Sequence, residues 1–386
     1  MGIYARHNGE WYNVYEGGKL GGSFSPAQIV TPPQGTSGLD VQTFSVKDKQ
    51  GNNKTIYLLP GDTGMARSLA FTEEAQESVD EALRQAVLTT EVPDDFDGDP
   101  ITLLPKNMQS SLRNSVETVS VPKLSATYTV ELTGGVLPGV MVGAGGAGGS
   151  SGATYYGGGG GSGAVIGHGA HVPVILPVQG EATYIITVAP TSPGGTPTGT
   201  SVLNMGLPTT IAVEGQEPFQ VAIGGGRGWG NYTGSASQPA VSGASGGGGH
   251  GASPYGFNNY GLGTPGLGND GASGPIAGNY SGGGGGYSSP GNARDGGNGF
   301  DLATALNLST TDPDTLALLG LVTQDGFIAG GGTGVNGGTA TGGGGQYTGG
   351  ISRDGKDFTG GGGSGHGAAT SGSGGAGMAL LITETP

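Results

Sequence analysis

The chain has 386 residues, 89 of them glycine, with no cysteine, two tryptophans and a formal net charge of −15. Only 14 residues are Lys or Arg, which leaves no basic stripe for nucleic acid and disfavours an anionic membrane. The missing cysteines exclude disulfides, thiolate catalysis and thiolate metal sites together. No run approaches the roughly 18 apolar residues of a membrane span. The segment from Met1 to His7 lacks the apolar core of a signal peptide, and Arg6 stands where N-myristoylation after Gly2 wants Ser or Thr.

Glycine is unevenly spread: 12 fall in residues 1–133 and 77 in residues 134–386. In the first part, strand-like runs from Ile3 to Arg6 and from Trp11 to Tyr15 flank Asn8-Gly9. That dipeptide signals a hairpin because a type I′ turn needs positive φ at both central residues. Pro26, Pro32 and Pro33 with Gly35 and Gly38 predict an extended connector. A second hairpin is expected from Phe44–Val46 and Thr55–Leu59 around the polar loop from Lys47 to Lys54.

A helix follows. Thr72 suits its N-cap, Glu73 and Glu74 suit the positive end of the dipole, and Ala75, Val79, Ala82, Leu83, Ala86 and Val87 share one face. Asp80 and Arg84 form a favourable i,i+4 pair. The thin, alanine-rich stripe fits either a homotrimer seam or packing on the chain's own hairpins. Asp94, Asp95, Asp97 and Asp99 around Gly98 lack the register and distal Glu of a calcium loop and predict a solvated acidic linker.

From Leu124 to Leu132 apolar and polar residues alternate, as in a half-buried strand. Short strands are also expected at Tyr184–Val188, Ile211–Val213, Phe219–Ile223 and Met378–Thr383. Glycine runs lie between and after them, at 143–149, 157–163, 224–230, 246–251, 282–286, 330–334, 342–345 and 360–367. Glycine-rich sequence is often a flexible linker. These runs instead carry Tyr, Trp, His and single apolar residues, and they start and end on strands, which predicts order.

An ordered run must bond its buried N–H and C=O groups. Polyproline-II-type strands have three residues per turn and no internal hydrogen bonds, so they bond to neighbours on several sides where no Cβ intervenes. No Gly-X-Y period is present, which excludes collagen. Polyglycine-II strands or tightly packed glycine-rich β-structure remain.

Gly-His-Gly-Ala occurs three times, at 167–170, 249–252 and 365–368, which predicts three equivalent strand positions with His168, His250 and His366 bonded into the lattice. A metal site from these histidines with His171 is the alternative, but no carboxylate pattern accompanies them. Asp312, Pro313, Leu316, Leu319 and Val322 predict a short inserted helix.

Val136–Val140 leading into Gly143–Gly149, then Gly157–Gly161, Tyr184–Val188, and Gly374–Gly377 running into Met378–Ile382, resemble the glycine-rich domains of phage tail fibres. They are similar as well to the tip adhesins of T-even-like phages. The resemblance covers about residues 124–386; the Pro-rich stretch 190–208 and the 312–322 helix depart from it. It implies polyglycine-II strands carrying loops that touch the host receptor.

The aromatics between glycine runs then become contact candidates: Tyr155, Tyr156, Trp229, Tyr232, Tyr255, Phe257, Tyr260, Tyr280, Tyr287 and Tyr347. Tyr and Trp on glycine-rich loops offer large contact area at low ordering cost, although such rings can equally roof the glycine body. No nucleophile elbow, Walker loop or carboxylate pair points to catalysis or to a cofactor.

The expected fold is mostly β or irregular. It divides into a hairpin attachment module (1–65), a helix (66–92), a linker (93–123) and a glycine-rich body (124–386). The expected function is non-enzymatic: a virion protein made in the host cytoplasm and displayed on the particle surface. Its N-terminal third would meet other virion proteins, and its body a host surface protein or polysaccharide. An architectural head-fibre, decoration or tail-cap protein is the alternative, and a secreted glycine-rich matrix protein a third.

Overall fold

The structure is a computed structural model. It describes residues 3–7, 10–16, 19–20, 28–35, 39–63, 125–150, 157–195, 205–230, 240–250, 260–274, 280–335, 338–367 and 370–384. The helix expected at 72–87 and the acidic segment 94–99 lie outside them.

The fold is mostly β, with short antiparallel sheets. Strands β1 (Ile3–His7), β2 (Glu10–Glu16) and β3 (Lys19–Leu20) form one sheet, with His7 opposite Glu10 as a two-residue hairpin loop requires.

Two five-stranded sheets make the core. The first has the order β5-β6-β15-β8-β9, from β5 (Gln42–Lys47), β6 (Asn53–Pro60), β15 (Met378–Glu384), β8 (Gly139–Val142) and β9 (Val165–Gly167). The second has the order β12-β11-β10-β7-β4, from β12 (Gln220–Ala222), β11 (Thr209–Val213), β10 (Ile175–Val188), β7 (Ala126–Val136) and β4 (Ile29–Gly35).

The strand period of two explains how they stack. Along β15, Met378 and Leu380 face one apolar cluster while Ala379 and Leu381 face another. The second cluster, with Tyr128, Val130, Tyr184 and Ile186, is the interior of a sandwich between the two sheets.

The first cluster is closed by two helices, α1 (Leu302–Ala305) and α2 (Pro313–Val322), and by a two-stranded ribbon of β13 (Phe300–Asp301) and β14 (Phe327–Ile328). Helix α2 starts as its sequence predicts: Pro313 occupies the first turn, and the Asp312 carboxylate accepts the Thr315 N–H at 3.0 Å. Its Leu318, Leu319 and Val322 are buried, so it is part of the core rather than a side insertion. At its C-terminus the Lys356 ammonium donates to the carbonyls of Gly320 (2.6 Å) and Thr323 (2.5 Å), and burial lowers its pKa.

The sequence placed residues 1–65 in a separate module, and the sheets correct this for residues 29–60. β6 pairs with β15 over seven positions, from Lys54–Glu384 to Pro60–Met378, and β4 pairs with β7. The reason is burial: Ile56, Leu58 and Leu59 are wholly buried only against β15 and its partners.

The glycine runs continue these strands. β8 runs into 143–149, residues 157–164 run into β9, β12 runs into 223–229, β14 into 330–335, and 371–377 into β15. Their bonding is that of polyglycine II, most plainly around residues 157–164.

The amides of Gly157, Gly160 and Gly163 donate to the carbonyls of His366, Gly363 and Gly360. Those of Gly158, Gly161 and Ala164 donate to Trp229, Gly226 and Ile223, and those of Gly159 and Ser162 to Gly282 and Gly285. Each partner changes in steps of three, so successive amides point a third of a turn apart. The carbonyls are met in the same way. Those of Gly158, Gly161 and Ala164 accept from Gly149, Gly146 and Gly143, those of Gly159 and Ser162 from Gly248 and Ser245, and that of Gly160 from Gly332. One strand thus sits among six, at N···O distances of 2.7–3.1 Å.

This spacing leaves no room for side chains. A Cβ on Gly159 would lie 2.1 Å from the Gly332 carbonyl oxygen, and one on Gly284 would lie 2.0 Å from that of Gly160. Gly159→Val or Gly284→Val should therefore abolish cooperative folding, at a cost above about 4 kcal/mol. Gly180→Ala, where a Cβ meets nothing within 4 Å, should be tolerated. Gly320→Ala, open on the α2 surface, should stabilise by about 0.5–1 kcal/mol. Thermal melts of the four variants test the set.

A second prediction concerns pH. The Asp48 carboxyl is held below its usual range chiefly by the Asn52 amide side chain, and that of Asp312 chiefly by the Thr315 N–H. A carboxyl whose pKa falls on folding stabilises above its unfolded value, and that stability is lost as pH drops through the folded one. The melting temperature should fall below pH about 4, and more shallowly in the Asp48→Asn, Asp312→Asn double variant.

Candidate binding surface

β8, β9, β12 and β15 of the sheets and β14 of the ribbon run directly into lattice strands, so the lattice has a near end at the sheets and a far end. The described strands flanking residues 151–156, 231–239, 251–259, 275–279, 336–337 and 368–369 all stop at the far end. Gly149 pairs with Gly158, Trp229 with Gly248, Gly249 with Gly282, and His366 with Gly157, on one level.

The turn between the strands ending at Gln346 and starting at Ser352 lies there as well. Thr348 and Ile351 exchange N–H···O bonds of 3.1 Å across Gly349 (φ +60°) and Gly350 (φ +84°), left-handed positions that glycine takes without strain. This turn holds Ile351 55% exposed. The half-buried Tyr347 presents its ring edge-on to the His366 ring at 5.7 Å, while His366 Nε2 lies 3.1 Å from the Gly350 carbonyl oxygen. Tyr347, Ile351 and His366 are thus joined at the far end, on the one far turn that is described throughout.

The other candidate contacts separate. Tyr155, Tyr156, Tyr232, Tyr255 and Phe257 lie outside the described residues. Trp229 is only 1% exposed: its backbone bonds into the lattice and its ring packs on that of His250, centroids 4.6 Å apart. Tyr287 is also buried, edge-on to Phe300 and stacked on His171 at 5.2 Å, with its hydroxyl oxygen accepting the His171 N–H. Burial raises its pKa.

Both are corrections. Trp229 and Tyr287 are packing residues and not free contacts: Trp229 is buried against His250, and Tyr287 belongs to the apolar cluster that the two helices close. Tyr280 is half-buried with the Arg294 guanidinium 4.7 Å from its ring centre, and Tyr260 is half-buried at the start of the strand 260–264.

The three Gly-His-Gly-Ala repeats are not equivalent either. His250 and His366 occupy matching far-end positions, bridged to Ser281 and Ser150. Burial lowers the pKa of His250. His168 is exposed in the turn after β9, at the near end. Its repeat follows a lattice strand running the opposite way, a direction that composition does not encode. Among the described residues, no three His, Cys, Asp or Glu side chains gather as metal ligands would, and no helix is long and apolar enough to cross a membrane.

The profile of the family described as "Glycine-rich domain" matches residues 121–383, and the chain belongs to that family. No curated protein and no solved structure matches it.

Burial predicts opposite outcomes for two aromatic truncations. Trp229→Ala should cost about 3–5 kcal/mol, as buried large-to-small changes do. Tyr347→Ala should cost no more than about 1 kcal/mol. Chemical denaturation of the two variants checks this.

Proposed function

We propose that this protein is a non-enzymatic component of a bacteriophage virion, a tail fibre or tip adhesin whose glycine lattice holds loops out to the host cell surface. The observation that carries the proposal is that the described lattice strands end together on one level. The sequence between those strand ends contains Tyr155, Tyr156, Tyr232, Tyr255 and Phe257, and the turn at that end exposes Ile351 next to Tyr347 and His366.

A rigid lattice suits that task. Densely bonded strands fix the points from which the connections leave, and aromatic rings in glycine-rich segments give contact area without long flexible side chains. The partner is a protein or polysaccharide of the host surface. The N-terminal segment would join the other virion proteins, and the proposed location is the exposed particle surface.

The test pairs adsorption with folding. Fluorescently labelled full-length protein should bind cells of the host that the phage infects. Tyr347→Ala and Tyr255→Ala should each weaken binding by hot-spot amounts, about 1–3 kcal/mol, with melting temperatures near wild type. Unchanged adsorption by folded variants, or particles that adsorb normally without the protein, would favour the architectural alternative.

A further inference from the structure

Three outer strands of the lattice share a device that their sequence repeats, an Asp-Gly pair. In the strand 353–356, the Gly355 N–H donates to the Ser373 carbonyl (2.8 Å) while the preceding Asp354 carboxylate accepts the Ser373 N–H (2.6 Å). In the strand 294–298, the Gly296 N–H donates to the Thr339 carbonyl (3.0 Å) and the Asp295 carboxylate accepts the Thr339 N–H (2.7 Å). In the strand 268–274, the Gly271 N–H donates to the Gly261 carbonyl (3.0 Å) and the Asp270 carboxylate accepts the Gly263 N–H (2.7 Å).

The three amides bonded this way belong to Gly263, Thr339 and Ser373, all at the lattice margin and half-buried or exposed. Inside the lattice, an amide in such a place points at the carbonyl of a further strand. Here a carboxylate oxygen of the neighbouring chain segment supplies the acceptor.

The chemistry explains the residue choice. Aspartate is short enough to reach an amide on the adjacent strand, and its ionised form only accepts hydrogen bonds, and strongly. The glycine after it is closed in by a further strand on its inner side: a Cβ on Gly355 would lie 2.1 Å from the Gly361 carbonyl oxygen, and one on Gly296 would lie 1.9 Å from that of Gly331. Asp325-Gly326 shows that the dipeptide alone is not the device, because there it forms a turn with both residues at positive φ.

An open margin of a polyglycine lattice is a template for one more strand, as an open sheet edge is. A second copy of this chain carries such strands in quantity. We propose that Asp270, Asp295 and Asp354 close the margin of the lattice, so that it does not grow sideways by adding glycine strands of a second copy. The proposal is independent of what the far end binds.

The test is sedimentation velocity of the full-length protein over a wide concentration range, with circular dichroism and a thermal melt as folding controls. The Asp270→Ala, Asp295→Ala, Asp354→Ala triple variant should keep its fold and associate with rising concentration, at least doubling its average mass over wild type. The matching triple Asn variant retains an acceptor oxygen and should sediment as wild type does. A folded triple Ala variant with wild-type sedimentation overturns the proposal. Association of the Asn variant to the same extent does so too, since charge rather than the acceptor would then be the barrier. Should the triple Ala variant fail to fold, the three single Ala variants decide: Asp354→Ala, at the most exposed clip, should associate, and wild-type sedimentation of all three overturns the proposal.

Discussion

The structure depends on one contact: a backbone amide of one glycine strand meeting a backbone carbonyl of the next with no Cβ between them. In a β-sheet each strand has hydrogen-bonding neighbours on two sides, and side chains fill the other two directions. Around residues 157–164 the strand bonds in every direction, to six neighbours. That is possible only because the amides rotate by a third of a turn per residue and because added side chains would strike carbonyl oxygens at about 2 Å. Glycine here supplies proximity more than flexibility, and proximity is bought against the large backbone entropy that glycine loses on ordering.

Such a lattice has almost no apolar surface of its own, so its stability and register come from elsewhere. The β-sandwich provides both. The same strands that bury Val140, Val142, Met378 and Leu380 run on as lattice strands, and each therefore enters at a defined height and azimuth. Side chains return where the lattice permits them. Ala144 and Ala147, three residues apart, share one direction of their strand and are fully buried. Ser162 and Ser245 bond hydroxyl to hydroxyl at 2.9 Å inside the bundle. At the far end the buried Trp229 ring packs on that of His250.

The lattice interior is held by backbone hydrogen bonds on all sides and leaves its glycines no room for a Cβ. Helix α2, tied down by Asp312 at its start and Lys356 at its end, serves the sandwich and not the far end.

Much of the local structure was legible in the residues themselves. The alternation from Leu124 to Leu132, the β5–β6 hairpin, the cap at Asp312 and the run at Met378–Thr383 all follow from side-chain period and turn chemistry, which are local properties. The glycine runs likewise announced strands that pack without Cβ atoms. The partners of those strands were not legible. A polyglycine hydrogen bond is made by backbone alone, so no side chain records that Gly160 meets Gly363 and not some other glycine. Pairing is decided by where the folded chain brings each strand. For the same reason only the tertiary structure places β6 beside β15, buries Trp229 and Tyr287, and sets His168 apart from His250 and His366.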